Sequence, residues 1–384
     1  MGFNAWDARP DWIVDELLDE FYGSASSIPA NDSRRRVAAE AVARRCVEIV
    51  REQLVPSQIL TPAAFHNAVR VLSAIGGSTN AVIHLVAIAG RLGINLPLSL
   101  FDELSRLTPM IVNLKPSGRY LMEHFHRAGG LPAVAQEISR LLQLDCLTIS
   151  GKTVGQNIEA ARCFDHDVIK PMSSPVLPSG ALAVLRGNLA PSGAILKVSA
   201  ASDRLLSHSG PAVVFENYLD MMARIDSPDL EVSADSVLVM RNTGPRGVPG
   251  MPEWGAIPVP VKLLRQGVRD LVRISDARMS GTSYGTVILH VAPESVIGAP
   301  LAIVQNGDII KLNVPERRLE LLVPTEEIES RLSRWSPPSS EHLRGFPRLY
   351  IDHVLQADQG CDLDFLRPAS KDAVKFVPPI VGRG

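Results

Sequence analysis

The chain changes its hydrophobic period at residues 165–180, and that change limits it to a fold with two unlike halves. Beyond the Pro- and Ser-bearing stretch DHDVIKPMSSPVLPSG, nine short β-branched runs recur: ALAVLRG, AILKVSA, AVVFEN, SVLVMRN, LVRIS, TVILHVAP, LAIV, IIKLNV and RLELLV. Runs this short, punctuated by Gly and Pro, specify the strands of a β-rich barrel or sandwich. Asn306-Gly307, between two of them, predicts a hairpin. Before residue 165 the apolar residues recur at helical spacing. Asp32 or Ser33 can cap RRRVAAEAVARRCVEIVREQL, and Ser99 with Asp102 forms a capping box for LFDELSRL. RYLMEHFHRAGG ends at Gly129-Gly130, before Pro132 opens another helix. GGSTNAVIHLVAIAGRLGI gives a helix apolar on nearly all sides, hence internal.

A length of 384 residues with 46% hydrophobic content suits two ordinary domains. A formal charge of -2 and a pI near 6.5 give no reason to expect nucleic acid or an anionic membrane as partner. Cys46, Cys146, Cys163 and Cys361 are scattered, which offers neither a disulfide framework nor a local zinc site. The opening MGFNAWDARPDWIVDELLDEFYG is acidic, unlike a signal or transit peptide. The most apolar stretch, AVIHLVAIAG, is too short to span a bilayer. These features predict a soluble, cytoplasmic protein.

The chemistry concentrates in GPRGVPGMPEWGAIPVPVKLLRQGVRDLVRISDARMSGTSYG, residues 244–285. Glu253 stands in a loop too rich in Gly and Pro for helix or strand. A lone carboxylate there reads equally well as a Mg²⁺ ligand or as a surface acid. Ser280 sits at a turn between two apolar runs. It does not belong to a serine-hydrolase elbow, because Arg278 occupies the required glycine position and a strand follows. Its hydroxyl is either a turn residue or a base activated by a nearby divalent metal. The Ser78–Asn80 stretch at a helix start can cradle an anion, although simple capping is the plainer reading. His84 reads as a core histidine. His124 and His126, two apart, face different sides of a helix and make poor joint ligands. Gly151-Lys152-Thr153 lacks the glycine that a P-loop needs five residues earlier, where Cys146 stands.

Six ordered blocks carry a resemblance: ILTPAAFHNAVRVLSAIGGSTNAVIHL, LKPSGRYLMEHFHRAGGLPAV, GNLAPSGAILKVSA, GPRGVPGMPEWG, RISDARMSGTSYGTVILHVAPES and HVLQADQGCDLDF. From about Gly23 to about Leu366 the chain resembles the dihydroxy-acid and sugar-acid dehydratases, closest to the pentonate and hexonate branch. The resemblance implies an α/β fold: an α/β/α N-terminal domain, here partial, and a β-barrel-like C-terminal domain. The expected boundaries are residues 23–164 and 181–366, joined by a linker at 165–180 and flanked by an acidic segment at 1–22 and a divergent tail at 367–384.

The resemblance also implies a hydro-lyase that uses Mg²⁺ and an iron–sulfur cluster to convert a 2,3-dihydroxy acid into a 2-keto-3-deoxy acid. Glu253 then matches a Mg²⁺ ligand, and Ser280 the serine that removes the C2 proton as an alkoxide. Thr282 lines the same pocket. The family's three cluster cysteines, its other Mg²⁺ carboxylates and a lysine that becomes carbamylated precede the block beginning at Gly23, so no iron–sulfur ligands are assigned here. The tail after Phe365 lacks the histidine-ended terminus of the sugar-acid branch. The expectation is an N-terminally truncated homologue that takes a small sugar acid or dihydroxy acid and forms a homo-oligomer or pairs with a full-length homologue. The alternative is a non-catalytic binding or partner subunit.

Overall fold

The computed structural model describes residue 28, residues 31–339 and residues 344–368. The acidic segment 1–22 and the tail beyond residue 368 lie outside the described residues. The first half folds as helices: α1 (Arg34–Glu52), α2 (Pro62–Ala74), α3 (Asn80–Arg91), α4 (Leu98–Arg106), α5 (Met122–Arg127) and α6 (Gly130–Glu137). Asp32 caps α1, accepting the Arg34 N–H at 2.9 Å, whereas the Ser33 side chain makes no capping bond. Thr61 caps α2 through the N–H of Ala64, and Pro62 follows at the first helical position, where its missing donor costs nothing.

The capping box expected at Ser99 and Asp102 does not form. α4 already begins at Leu98, with Pro97 at its N-cap. Asp102 instead accepts from Arg106 at 2.7 Å and from Arg317 at 2.6 Å, and the second contact fastens α4 to the β half.

Eight of the nine β-branched runs form strands: β1 (Leu182–Leu185), β2 (Gly193–Lys197), β3 (Ser207–Phe215), β4 (Val237–Met240), β5 (Val272–Ser275), β6 (Val287–Ala292), β7 (Ile309–Asn313) and β8 (Arg318–Leu321). They make one sheet in the order β1-β2-β6-β5-β4-β3-β7-β8. Arg186, just past β1, bonds Arg317 and Leu319 through its backbone at 2.9 Å each, so the outer strands meet and the sheet nearly closes into a barrel. Closure removes the exposed edges that invite aggregation.

The ninth run, LAIV, is a 3-10 turn (Pro300–Ile303), so Asn306-Gly307 joins no pair of strands. Asn306 instead accepts the Val214 N–H at 2.7 Å and so closes off β3. The hairpin in this region lies between β7 and β8, with Arg317 in the left-handed conformation at φ 58°.

Period-two alternation sorts the strand residues between layers. Ala183, Leu185, Leu196, Val214, Val239, Ile274 and Ile288 fill the barrel. Leu182, Val184 and Ile195 point the other way, into the helical core with Phe65, Phe101 and Phe125. Across the barrel, Val213, Phe215, Leu238 and Met240 lie against α7 (Tyr218–Arg224) and α8 (Val261–Arg265). Two further helices, α9 (Thr325–Arg334) and α10 (Gly345–His353), follow the last strand. Among the described residues, no helix is long and apolar enough to cross a membrane.

Candidate active site

Strands β3 to β6 run parallel, so each connection between them must cross back over the sheet. The connections after β4 and β5 are the loops that carry Glu253 and Ser280. Asp276, fully buried just after β5, staples their origins. It accepts from Thr243 N at 3.0 Å and Oγ1 at 2.9 Å, and from Ser295 N at 2.9 Å and Oγ at 2.5 Å. Glu294 performs the same service for the start of the Glu253 loop. Its carboxyl accepts from Arg246 N at 2.9 Å and Gly247 N at 3.0 Å, and from Gln356 Nε2 at 2.7 Å. Burial, reinforced by the nearby charge of Asp276, pushes the Glu294 carboxyl up to about 7 despite those donors.

Both loops then fold over the outer face of β6. Gly255 N bonds Arg278 O at 2.8 Å, and a Cβ on Gly255 would lie 2.6 Å from Leu289. Met279 packs with Val287 and Leu289 on that face. The loops meet the first turn of α3 there. Asn80 donates its side-chain amide to the Glu253 carboxylate and, at 3.2 Å, to the carbonyl of Met279. Gly281 presses on Ser78 so closely that a Cβ would lie 2.7 Å from the Ser78 Cβ. The Ser280 and Thr282 hydroxyls share a hydrogen bond of 3.0 Å. Ser280 is half-buried, as is Glu253, and Thr282 is exposed.

The Ser78–Asn80 stretch therefore does more than cap. Asn80 crosses from helix to loops, and its Oδ1 is buried without a hydrogen-bond partner. The residues alone favour simple capping; the bridge from Asn80 to the two loops is a tertiary contact that the sequence does not announce.

Lys197, at the end of β2, escaped sequence reasoning because it sits in the apolar run AILKVSA and matches no motif. It is buried, lines a small cavity with Thr79, Ser280, Gly281 and Ser283, and donates to Gly281 O at 3.4 Å. Burial pulls its ammonium down to about 8. His290 was likewise missed. Its φ of 56° accompanies a register shift between β2 and β6. Both ring nitrogens are buried without hydrogen-bond partners, and burial, with positive Arg278 and His84 nearby, pushes its pKa down to about 3. His290 is thus a neutral imidazole, and His84, one turn along α3 from Asn80, is near enough to add to that shift.

Residues 167–361 match the C-terminal profile of the dihydroxy-acid/6-phosphogluconate dehydratases, and residues 17–157 match the N-terminal profile. The chain belongs to this dehydratase family. It is 51% identical over 361 residues to an L-arabinonate dehydratase of Rhizobium leguminosarum bv. trifolii, covering 94% of this chain and 62% of that protein. It is 53% identical over 350 residues to an L-arabonate dehydratase of Azospirillum brasilense, covering 89% and 60%. A 6-deoxy-6-sulfo-D-gluconate dehydratase of Pseudomonas putida is 48% identical over 346 residues, covering 89% and 60%. The chain thus spans about three fifths of the length of these curated relatives.

Proposed function

We propose that the chain supplies one side of a sugar-acid dehydratase site, where an aldonic acid bearing hydroxyls at C2 and C3 becomes a 2-keto-3-deoxy acid. The Asn80 bridge carries this reading: one side chain holds the Glu253 carboxylate and the carbonyl next to Ser280, so acid and hydroxyl converge on the first turn of α3. Ser280, as alkoxide, takes the C2 proton. Thr282 shares a hydrogen bond with the same oxygen and stabilises the alkoxide before it takes the proton. The electron pair left at C2 forms a C2–C3 double bond as the 3-hydroxyl departs, taking up a proton to leave as water. The resulting enol rearranges to the 2-keto acid.

Glu253 fits one face of a Mg²⁺ site. That ion takes oxygen donors from one or two carboxylates, with substrate and water completing its shell. The partnerless Oδ1 of Asn80 adds an oxygen donor beside the Glu253 carboxylate. Bound there, Mg²⁺ would polarise the substrate's carboxylate and 2-oxygen and acidify its C2–H.

An iron–sulfur cluster does not fit the cysteines present. Cys46 is exposed on α1, Cys361 lies against Met251, and no three His, Cys, Asp or Glu side chains among the described residues group to hold a metal. No step is therefore assigned to a cluster. The names of the relatives support an aldonate such as L-arabinonate as substrate. Calorimetric titration with L-arabinonate tests the reading. Binding is expected with Mg²⁺, weakened about ten-fold or more by chelation and by Glu253→Ala. Binding indifferent to both would refute it.

A further inference from the structure

Lys197 takes no part in the reaction as described, yet its ammonium is buried and, among the described residues, has no carboxylate partner. The charged side chains described on the elements around it have partners of their own. Asp270 and Arg273, behind Gly285, form an ion pair at 2.7 Å. Glu253 is held by Asn80, and Arg278 donates to Met251 O at 2.5 Å. A buried cation closed on no anion is costly, and that cost falls if an anion forms beside it.

The groups that could form one are specific. Lys197 reaches the carbonyl of Gly281, the residue that follows Ser280, and both side chains line the same small cavity. The strand end that carries the lysine grips the rest of the loop too: Gly285 N bonds Ala200 O at 2.9 Å, and Ser202 N bonds Thr286 Oγ1 at 3.1 Å. Ser78 also presses on Gly281. The serine is thereby held at a fixed place relative to the cation. Asn80 joins Glu253 to the Met279 carbonyl, whereas Lys197 takes the Gly281 carbonyl, so acid and lysine reach the two neighbours of Ser280 through different residues.

We infer that Lys197 is the positioning residue for the Ser280 base: it anchors the Gly281 carbonyl and supplies the fixed positive charge that favours the serine alkoxide. This inference rests on Ser280 being a base, as proposed above. A positive charge close by favours the ionised hydroxyl, and a low-polarity surrounding strengthens the effect. The arrangement also has a built-in ceiling. The burial that leaves the ammonium unpaired brings its own loss of a proton to about pH 8. Above that pH, each proton lost from Lys197 removes the charge that favours the alkoxide, and the gain from more hydroxide is cancelled.

A small arylsulfonyl fluoride reads this directly on the full chain, with the Ser280 peptide followed by mass spectrometry. In the unaltered protein, Ser280 sulfonylation should rise with pH and break to a plateau at about pH 8. Lys197→Met should lower the rate below the break about ten-fold or more and abolish the break. Lys197→Arg keeps the charge but cannot titrate in this range, so its rate should continue to climb past the same pH. The arginine variant decides the matter if the methionine variant does not fold. A break that persists at the same pH in either folded variant would overturn the role of Lys197 while leaving Ser280 as base. Failure of Ser280 to react at any pH in the unaltered chain would overturn the assignment of the base itself, and with it this inference.

Discussion

Glu294 makes the stability of this fold depend on pH in a way that can be worked out in advance. Its carboxyl is held at about 7, against an ordinary value of 4.5, chiefly because it is buried and secondly because Asp276 is near. Between those two values the folded chain binds a proton that the unfolded chain has already released. Unfolding then releases a proton, so stability falls as pH rises through the window and levels off above about pH 7. At roughly 1.4 kcal/mol per pH unit, the gap corresponds to a loss of about 3 kcal/mol. Glu294→Gln removes the titration while keeping the shape of the side chain. Urea unfolding of both proteins at several pH values from about 5 to 8 isolates the effect, because other titrating groups cancel in the difference. Relative to the variant, the unaltered chain should lose about 2.5 kcal/mol across that range, the rest of the loss falling below about pH 5. A difference that stays constant with pH would refute the reasoning.

Two other substitutions probe the junction between α3 and the loops. Gly281→Ala would bring a Cβ to 2.7 Å from the Ser78 Cβ, so it should cost about 1–3 kcal/mol in urea unfolding and disturb Ser280; an unchanged midpoint would contradict the close packing. Asn80→Ala removes the donor shared by Glu253 and Met279 O, so it should cost about 1–3 kcal/mol and weaken Mg²⁺-dependent aldonate binding in calorimetry. Full retention of binding would mean that Asn80 does not position the acid.

The sequence carried the architecture well because the barrel depends on local alternation. Eight short runs bear their own inward and outward residues, and Gly or Pro separates them. LAIV misled because four apolar residues do not define a period, and Pro300 at their start sets up a 3-10 turn instead. The capping box at Ser99 failed for a related reason: Pro97 can begin a helix two residues earlier than the serine. Within the site, Glu253 and Ser280 stood out because their loops are unusual in composition. Lys197 and His290 did not, since each lies in an apolar strand and gains its character from what surrounds it. Burial of a cation and a bulge at φ 56° are facts of packing, not of spacing. Asn80 lies between these cases: its helix start was legible, its reach across to Glu253 was not.

The central claim is that Ser280 removes the C2 proton of an aldonate polarised by a metal at Glu253. Exchange of that hydrogen for deuterium, followed by proton NMR with L-arabinonate and Mg²⁺ in D₂O, observes the step without requiring the 3-hydroxyl to leave. The account predicts Mg²⁺-dependent loss of the C2–H signal, slowed about a hundred-fold or more by Ser280→Ala while the aldonate still binds. Exchange at an undiminished rate in the Ser280→Ala protein, or a C2–H signal that persists in the unaltered chain, would contradict it.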